Sequence, residues 1–583
     1  MIEYLIPAPF LLVMIAALLW PRRSEYVGYL GAAAGLVTLA LVYLTWRSGT
    51  PGGELEWFAV AGTMFTWSVM VDQLSLLLAG IVAGIGTFIF LYSVGYMDAS
   101  EELRRYYAEL ALFATSMLAV VMSANLFQLF FAWELVGVSS YLLIGYWHDR
   151  KTAIAAARKA FITIIIGDAF LLAGIFLLWK GYGTFAIAPI LEAARADTIT
   201  TIAGLFIIIG AISKSAQFPL HAWLPDAMEG PTPVSAFLHS ATMVKAGLFL
   251  VARFLPLLAI AGLSPVLIII AVITIIISAC MALVENDIKR VLAYSTMNQL
   301  AFILLAFGLG ATVAGLYHLL NHSVFKALLF MAAGVIIHLA GTQDIRQMEL
   351  KLGWNVLAVT TAIGALALAG LPPLSGFFSK DAIFEQILHT GNAALILVFS
   401  IAIIMSAAYI SRWYLLIFRR NGSVAHVHWQ MRAPLPILAA LVVFGGLITG
   451  MFYSWWDSSA SASLFAGVLS TILALAGFGI AYAIYWRGMD INWLSRSSMA
   501  EFFRQRFLLD DLGSALASAV QGIGKAMVWV DTHIVDRTVV GVGHMLSAVG
   551  ALLRRFISGH PTNYLFAFVI GFIIIIITLR FVL

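Results

Sequence analysis

The chain has 583 residues, 62% of them hydrophobic and only 11% charged, with a formal net charge of +4. That balance excludes a soluble globular protein and defines a polytopic membrane protein; the small basic excess gives no case for nucleic-acid binding, because the Lys and Arg fall mainly in loops. A lone cysteine, Cys280, inside an apolar run excludes an internal disulfide, a Cys-ligated iron–sulfur cluster and a thiolate zinc site.

Apolar stretches between polar punctuation predict an all-α fold of about sixteen transmembrane helices, using the ~20 residues that span a bilayer. They start near residues 2, 27, 72, 107, 125, 155, 199, 231, 263, 291, 311, 353, 392, 433, 463 and 562. The first reads as a span and not as a cleavable leader, since it lacks a basic start and ends in "WPRR". With the N-terminus outside, alternate loops collect Arg22, Arg23, Arg104, Arg105, Arg150, Lys151, Arg158, Lys159, Lys289, Arg290, Arg346, Lys351, Arg419 and Arg420, while the opposite loops hold mainly Arg47, Lys180 and Arg195. The positive-inside rule favours that orientation, and an even span count places the C-terminus outside as well. Glu285, Asp287, Lys289 and Arg290 read as a solvated loop.

Residues 1–106 are N-terminal transmembrane helices. Two later segments read as broken helices: "GAISKSAQFPLHAWLPDAMEGPTPVS", with Lys214 ahead of four prolines, and "ALALAGLPPLSGFFSKDAIF", with Pro372, Pro373 and Gly376 ahead of Lys380. Proline removes a backbone donor and clashes with the preceding turn, and unwound backbone persists in a membrane only where protein or a wet cavity surrounds it. Paired breaks point to inverted repeats. The placement of breaks and lysines predicts two five-helix repeats over 107–255 and 263–418, with Lys214 and Lys380 in equivalent seats. Further transmembrane helices follow over 433–486.

Residues 507–557 differ in kind. Apolar positions recur at helical spacing, but Asp510, Asp511, Lys525, Asp531, His533, Asp536 and Arg537 forbid a span. The pattern predicts a long lateral amphipathic helix of roughly 70 Å; its several glycines leave open a short helix followed by a linker. Residues 562–583 read as an anchoring helix.

Ionisable groups within apolar helices cost at least ~2.5–3.5 kcal/mol each on insertion scales, so each is a candidate for function. They are Glu134, Asp168, Lys214, His239, Lys245, His318, His322, Lys326, Lys380 and Asp381. A desolvated lysine holds its proton loosely and a nearby carboxylate tightens that hold, so movement of Glu134 relative to Lys214 would act as a gate. In "LYHLLNHSVFKALLF", His318, His322 and Lys326 stand at i, i+4 and i+8 and share one helix face, as a proton wire requires. Simpler roles compete: His239 alone is readily a packing residue, Asp168 a partner for a basic group such as Arg158, and Asp381 an ion-pair partner for Lys380. Zinc ligation by His318 and His322 lacks a third ligand or an HExxH pattern.

These stretches, together with "WELVGVSSYLLIGYW", "KSAQFPLHAWLPDAMEGPTPVSAFLHSATMVKAGLFLVAR", "DIKRVLAYSTMNQLAF" and "LPPLSGFFSKD", make the chain resemble the antiporter-like subunits of respiratory complex I, above all the distal NuoL/NdhF type. The likeness is strong from about 100 to 390, and the C-terminal amphipathic segment and last span look like that family's lateral and anchoring helices. It implies a proton-translocating subunit of a membrane arm, in a plasma (inner) or equivalent energy-coupling membrane. By resemblance Glu134 is the essential glutamate, Lys214 its partner in a first half-channel, His239 a linking histidine, and His318, His322 and Lys326 the central relay. Lys380 matches the lysine of the second half-channel, near the exit, and Asp168 a family aspartate.

Lys245 departs from many such chains and is similar to Mrp-type cation/proton antiporters and hydrogenase subunits. An Mrp-like Na+/H+ antiporter component, the membrane subunit of an energy-converting hydrogenase, and a structural scaffold therefore stand as alternatives. With no dinucleotide fingerprint, the chain is expected to carry no cofactor. The resemblance implies that flavin, iron–sulfur clusters and quinone belong to partner subunits of a complex I-like NADH- or other donor:quinone oxidoreductase.

Overall fold

The computed structural model describes the chain except residues 1, 20–24, 61–62, 98–99, 101, 349, 352–354, 420–426, 460–462, 490–497, 505–506, 508, 557–558 and 583, so Arg22, Arg23 and Arg420 lie outside the described residues. The chain forms two compact units, 1–504 and 505–583.

The first unit opens with α1 (Ala8–Leu19) and α2 (Tyr26–Ser48). A hairpin, β1 (Gly52–Val60) and β2 (Thr63–Met70), follows and pairs antiparallel from Gly52↔Met70 to Val60↔Thr63. It is an unpredicted departure from an all-α chain. Then come α3 (Gln73–Tyr96), α4 (Leu103–Met122), α5 (Leu126–Ile144), α6 (Lys151–Tyr182), the short α7 (Ile187–Glu192) and α8 (Thr198–Lys214). α9 (Trp223–Asp226), α10 (Thr232–Ser240), α11 (Met243–Ile260), α12 (Ser264–Val284), α13 (Ile288–Gly308) and α14 (Thr312–Ala340) lead into α15 (Val356–Ala369) and α16 (Ser375–His389). The unit closes with α17 (Ala393–Ile417), α18 (Trp429–Arg432), α19 (Pro434–Phe444), α20 (Thr449–Trp455), α21 (Leu464–Tyr485) and α22 (Ser498–Arg504).

Long apolar helices satisfy every main-chain group internally, which is what a membrane demands. Twelve described helices are long and apolar enough to cross one, or up to thirteen when the bent pair Trp429–Phe444 and Thr449–Trp455 counts as one span. Polar side chains cap the starts of long and shorter apolar helices alike: Asp72 accepts from Ser75 N at α3, Asn355 from Ala358 N at α15 and Asp197 from Thr200 N at α8. The backbone N–H of Thr200, then its hydroxyl, then Arg195 hold the Asp197 carboxyl down at about 2.

Asn125 does two jobs. Its Oδ1 accepts from Gln128 N at 2.8 Å to cap α5, and its Nδ2 donates to Thr66 O at 2.7 Å and Ser68 Oγ at 2.9 Å, tying the hairpin to α5. Replacing Asn125 by Ala removes a cap worth about 1 kcal/mol and orphans a hairpin carbonyl at a cost of about 1 kcal/mol more. The expected result is a lower thermal midpoint for the purified protein; an unmoved midpoint would refute this double role.

Both predicted breaks are present. α8 stops at Lys214 and α9 begins only at Trp223, and the unwound backbone finds protein partners: Gln217 N donates to Ile212 O at 2.9 Å and Phe218 N to Thr274 Oγ1 at 3.0 Å. α15 ends at Ala369, and α16 restarts at Ser375. A third break, at Ala241–Thr242 between α10 and α11, carries no proline and was not foreseen. α13 is buried along its apolar length and packs against α14, so these two helices form the centre of the unit.

The loop ahead of α13 is not simply solvated. Asp287 caps α13, and Lys289, 3% exposed, donates to Gly230 O at 2.9 Å. Arg290 pairs with Glu229 at 3.4 Å, while Arg412 of α17 donates to Glu285 O and Asn286 Oδ1. Burial pushes the Asp287 carboxyl up against the opposing pull of the Arg290 backbone N–H. These charges lock α13 to its neighbours, which sequence spacing alone did not reveal.

The second unit is helical from 509 to 556: α23 (Leu509–Val530), a π-helical turn (Asp531–Val535) and α24 (Asp536–Phe556) follow without interruption. Gly522, Gly524, Gly541, Gly543 and Gly550 lie within it without ending it, which overturns the reading of a short helix and linker. A rise of 1.5 Å per residue gives a rod of about 70 Å. Stacking of Trp529 on His533, with centroids 5.0 Å apart, joins the end of α23 to the π turn. α25 (Pro561–Val582) is the final apolar helix.

Candidate functional site

Three helices build the first cluster. α5 supplies Trp133 and Glu134, α6 supplies Asp168, and Lys214 is the last residue of α8. Lys214 is fully buried and Asp168 2% exposed. Asp168 Oδ2 lies 3.7 Å from Lys214 Nζ, and its Oδ1 accepts from Trp133 Nε1 at 2.6 Å. Lys214 donates to Trp133 O, and its ammonium sits 4.4 Å from the centre of the Trp133 ring. Asp168 is therefore the direct counter-ion of Lys214, not a mate for Arg158. Glu134 is half-buried and lies in electrostatic reach of both Asp168 and Lys214.

The second cluster centres on α14, where His318, His322 and Lys326 are all 0% exposed. Their shared face fans out to different neighbours. His318 Nδ1 meets Ser379 Oγ of α16 at 2.9 Å, and its Nε2 meets Gln299 Oε1 of α13 at 3.1 Å. His322 Nδ1 is 3.3 Å from Lys245 Nζ of α11, and its Nε2 is buried without a hydrogen-bond partner. The two imidazole centroids are 6.3 Å apart, with nitrogens aimed at separate partners and not at a common point where a metal would sit.

Lys245, Lys326 and Lys380 share one coordination pattern: a main-chain carbonyl plus a serine hydroxyl. Lys245 donates to Leu319 O at 3.2 Å and to Ser323 Oγ; Lys326 to Leu292 O at 3.1 Å and to Ser295 Oγ; Lys380 to Leu368 O at 2.5 Å and Ser406 Oγ at 3.1 Å. Each serine also donates back to its own helix, at Leu319 O, Leu292 O and Ile403 O. Among the described residues none of the three has a carboxylate within 4.0 Å. Asp381 turns instead to Ser470 Oγ of α21 at 3.2 Å, so the expected Lys380–Asp381 ion pair does not form.

His239 of α10 stands between these clusters in the chain. Its ring stacks on Phe330 at 4.6 Å, and both nitrogens are buried without a hydrogen-bond partner. Lys214 closes the helix before its break, whereas Lys380 lies in the second turn after its own and reaches back to the carbonyls that end α15. Their seats relative to the breaks thus differ. Sequence reading missed Trp133, Gln299, Ser379 and the three serines; polar residues inside apolar helices were the available signal.

Helices that bury four lysines, three histidines and Asp168 in one membrane-embedded core, with Glu134 half-buried beside them, define an ion-handling polytopic membrane protein. Residues 123–406, which hold all nine of these groups, match the family described as NADH:quinone oxidoreductase/Mrp antiporter, TM, and residues 57–107 match NADH-Ubiquinone oxidoreductase (complex I), chain 5 N-terminus. The chain is 34% identical to NADH-quinone oxidoreductase subunit L of Mycobacterium tuberculosis, covering 95% of this chain and 94% of that protein. It is 36% identical to F(420)H(2) dehydrogenase subunit L of Methanosarcina mazei, covering 88% of each. Its fold matches a chain of the Mrp complex from Dietzia sp. DQ12-45-1b with TM-score 0.77 and 27% identity, over 95% of this chain and 63% of that one. The membrane-bound sulfane sulfur reductase, an archaeal respiratory membrane complex, shares the fold at TM-score 0.70 and 23% identity, over 82% of this chain and 99% of that one. The chain belongs to the NADH:quinone oxidoreductase/Mrp antiporter membrane family.

Proposed function

We propose that this chain is a proton-translocating membrane-arm subunit of a complex I-like oxidoreductase whose redox chemistry takes place in partner subunits. The observation that carries the reading is the trio Lys245, Lys326 and Lys380, buried against neutral acceptors only. An ammonium with no counter-charge is costly in a low-dielectric core, so charge arriving at one site bears strongly on the next. His318 supports a link from the Lys245–His322 pair to Ser379 beside Lys380, and His239 a link toward Lys214 by way of water, which its free nitrogens need. Asp168, Glu134 and Lys214 serve as the entry gate.

In this reading about sixteen spans are reached by adding α4, the two broken helices and the bent pair to the twelve long ones. The two repeats occupy 107–255 and 263–418, and the rod 509–556 runs along neighbouring subunits. The relatives' match over 88–95% of this chain supports a complex I-like assembly. Lys245 and the Mrp likeness favour a second reading, a cation/proton antiporter that needs no electron donor.

Purification of the native complex and its reconstitution into vesicles separates them. The expected result is a pH gradient formed on adding electron donor and quinone and collapsed by a protonophore, and lost on replacing Lys214 by Ala. A gradient formed only by imposed Na+ would favour the antiporter, and donor-driven pumping unaltered by Lys214→Ala would overturn the proton path.

A further inference from the structure

We propose that Glu385 and His389 form the route by which protons pass between Lys380 and the membrane face at the end of α16, a step that rests on the proton-translocating reading above. Asp381, Glu385 and His389 stand at i, i+4 and i+8 and so share one face of α16, beginning one residue beyond Lys380 and ending at the helix's last residue. Asp381 is partly exposed at the start of the row, Glu385 is 5% exposed in its middle, and the His389 side chain is 70% exposed at its end.

Glu385 makes little sense as packing. Its Oε1 lies 3.8 Å from His389 Nε2, its Oε2 is buried without a hydrogen-bond partner, and among the described residues no lysine or arginine is in ion-pair range. A leucine would fill that site without the cost of burying an unsatisfied carboxyl. A carboxyl that can take a proton from one side and hand it to an exposed imidazole on the other has a use for exactly that free oxygen's lone pairs. Asp381, held by Ser470 Oγ at 3.2 Å, supplies the inner step beside Lys380.

The fold fixes the direction of the row. Asn286, Asp287, Asp344, Ile345 and Arg412 meet at one end of the helices, through Ile345 N to Asn286 O at 3.0 Å and Arg412 to Asn286 Oδ1. α15 starts near that basic end and α17 returns to it, so the turn at 390–392, just past His389, lies at the opposite end. By the positive-inside rule that end is the outer face, and the route leads outward.

The test uses the whole complex in vesicles, measuring protons released per donor oxidised. Glu385→Gln, an isosteric and neutral change, is expected to lower release at least about tenfold, as loss of a proton-relay group does, and Glu385→Asp to restore most of it. His389→Asn, at an exposed position that does not disturb packing, is expected to slow release measurably when the outer buffer is dilute and to recover when it is concentrated. Lys380→Ala is the reference. If Lys380→Ala stops release while Glu385→Gln and His389→Asn release like the unaltered protein, the route is overturned and the proton-translocating reading stands; if Lys380→Ala also releases normally, both fall.

Discussion

Replacing Asp168 by asparagine is expected to stop proton movement through this subunit, and to do so more completely than replacing Glu134 by glutamine. Asp168 Oδ2 lies 3.7 Å from Lys214 Nζ with both groups almost fully buried. Two unit charges at that separation interact by about 4 kcal/mol at an effective dielectric of 20. Removing one partner strands the other: breaking a buried pair costs roughly 3–5 kcal/mol because an uncompensated charge remains in the core. Asparagine keeps the acceptor for Trp133 Nε1 but removes the charge, so the variant isolates electrostatics from packing. Among the described residues Glu134 forms no ion pair with Lys214 within 4.0 Å, so its loss leaves the Asp168–Lys214 pair in place and is better tolerated. The measurement is donor-driven acidification by vesicles carrying each variant at matched complex content; equal losses, or a larger loss for Glu134→Gln, would show that Asp168 is not the controlling counter-ion.

Much of this architecture was legible because a bilayer leaves the chain few choices. Runs of Ile, Leu, Val and Phe had to be helices, and the prolines after Lys214 and before Lys380 had to interrupt them. The row His318, His322 and Lys326 needed only the 3.6-residue period. What was hidden is whatever depends on how helices meet. The sequence suggests Glu134 as the partner of Lys214 and a basic group such as Arg158 for Asp168, until α6 is seen to bring Asp168 against Lys214. Lys245 joins His322 only through the contact of α11 with α14, and Lys289 is drawn into the protein by the Gly230 carbonyl. The hairpin went unread because a search for long apolar runs passes over two strands of nine and eight residues. In the rod from 509 to 556, glycine's intrinsic cost of about 1 kcal/mol in a helix was too small to end it.

The break ahead of Lys380 makes a second strong prediction. Gly370 takes φ +85°, a conformation that side-chain-bearing residues rarely adopt, and Gly376 lies in the first turn of α16 with its Cα pressed against the end of α15. A Cβ on Gly376 would stand 1.9 Å from Ala367 O and 2.7 Å from Ala367 C, both main-chain atoms that cannot turn aside. Replacing Gly376 by alanine must therefore push α16 away from α15. Overpacking of this kind costs about 1–3 kcal/mol or more, and here it moves the ammonium of Lys380 off the carbonyls of Leu368 and Ala369. Gly80 of α3 is the control, since a Cβ there meets nothing within 4 Å and a helical Gly→Ala change is neutral or stabilising. The expected outcome is a lowered thermal midpoint and loss of proton release for Gly376→Ala, with both unimpaired for Gly80→Ala. Normal proton release from Gly376→Ala would mean that Lys380 works without the helix ends that hold it, because the close approach of α15 and α16 is what brings its ammonium to those carbonyls.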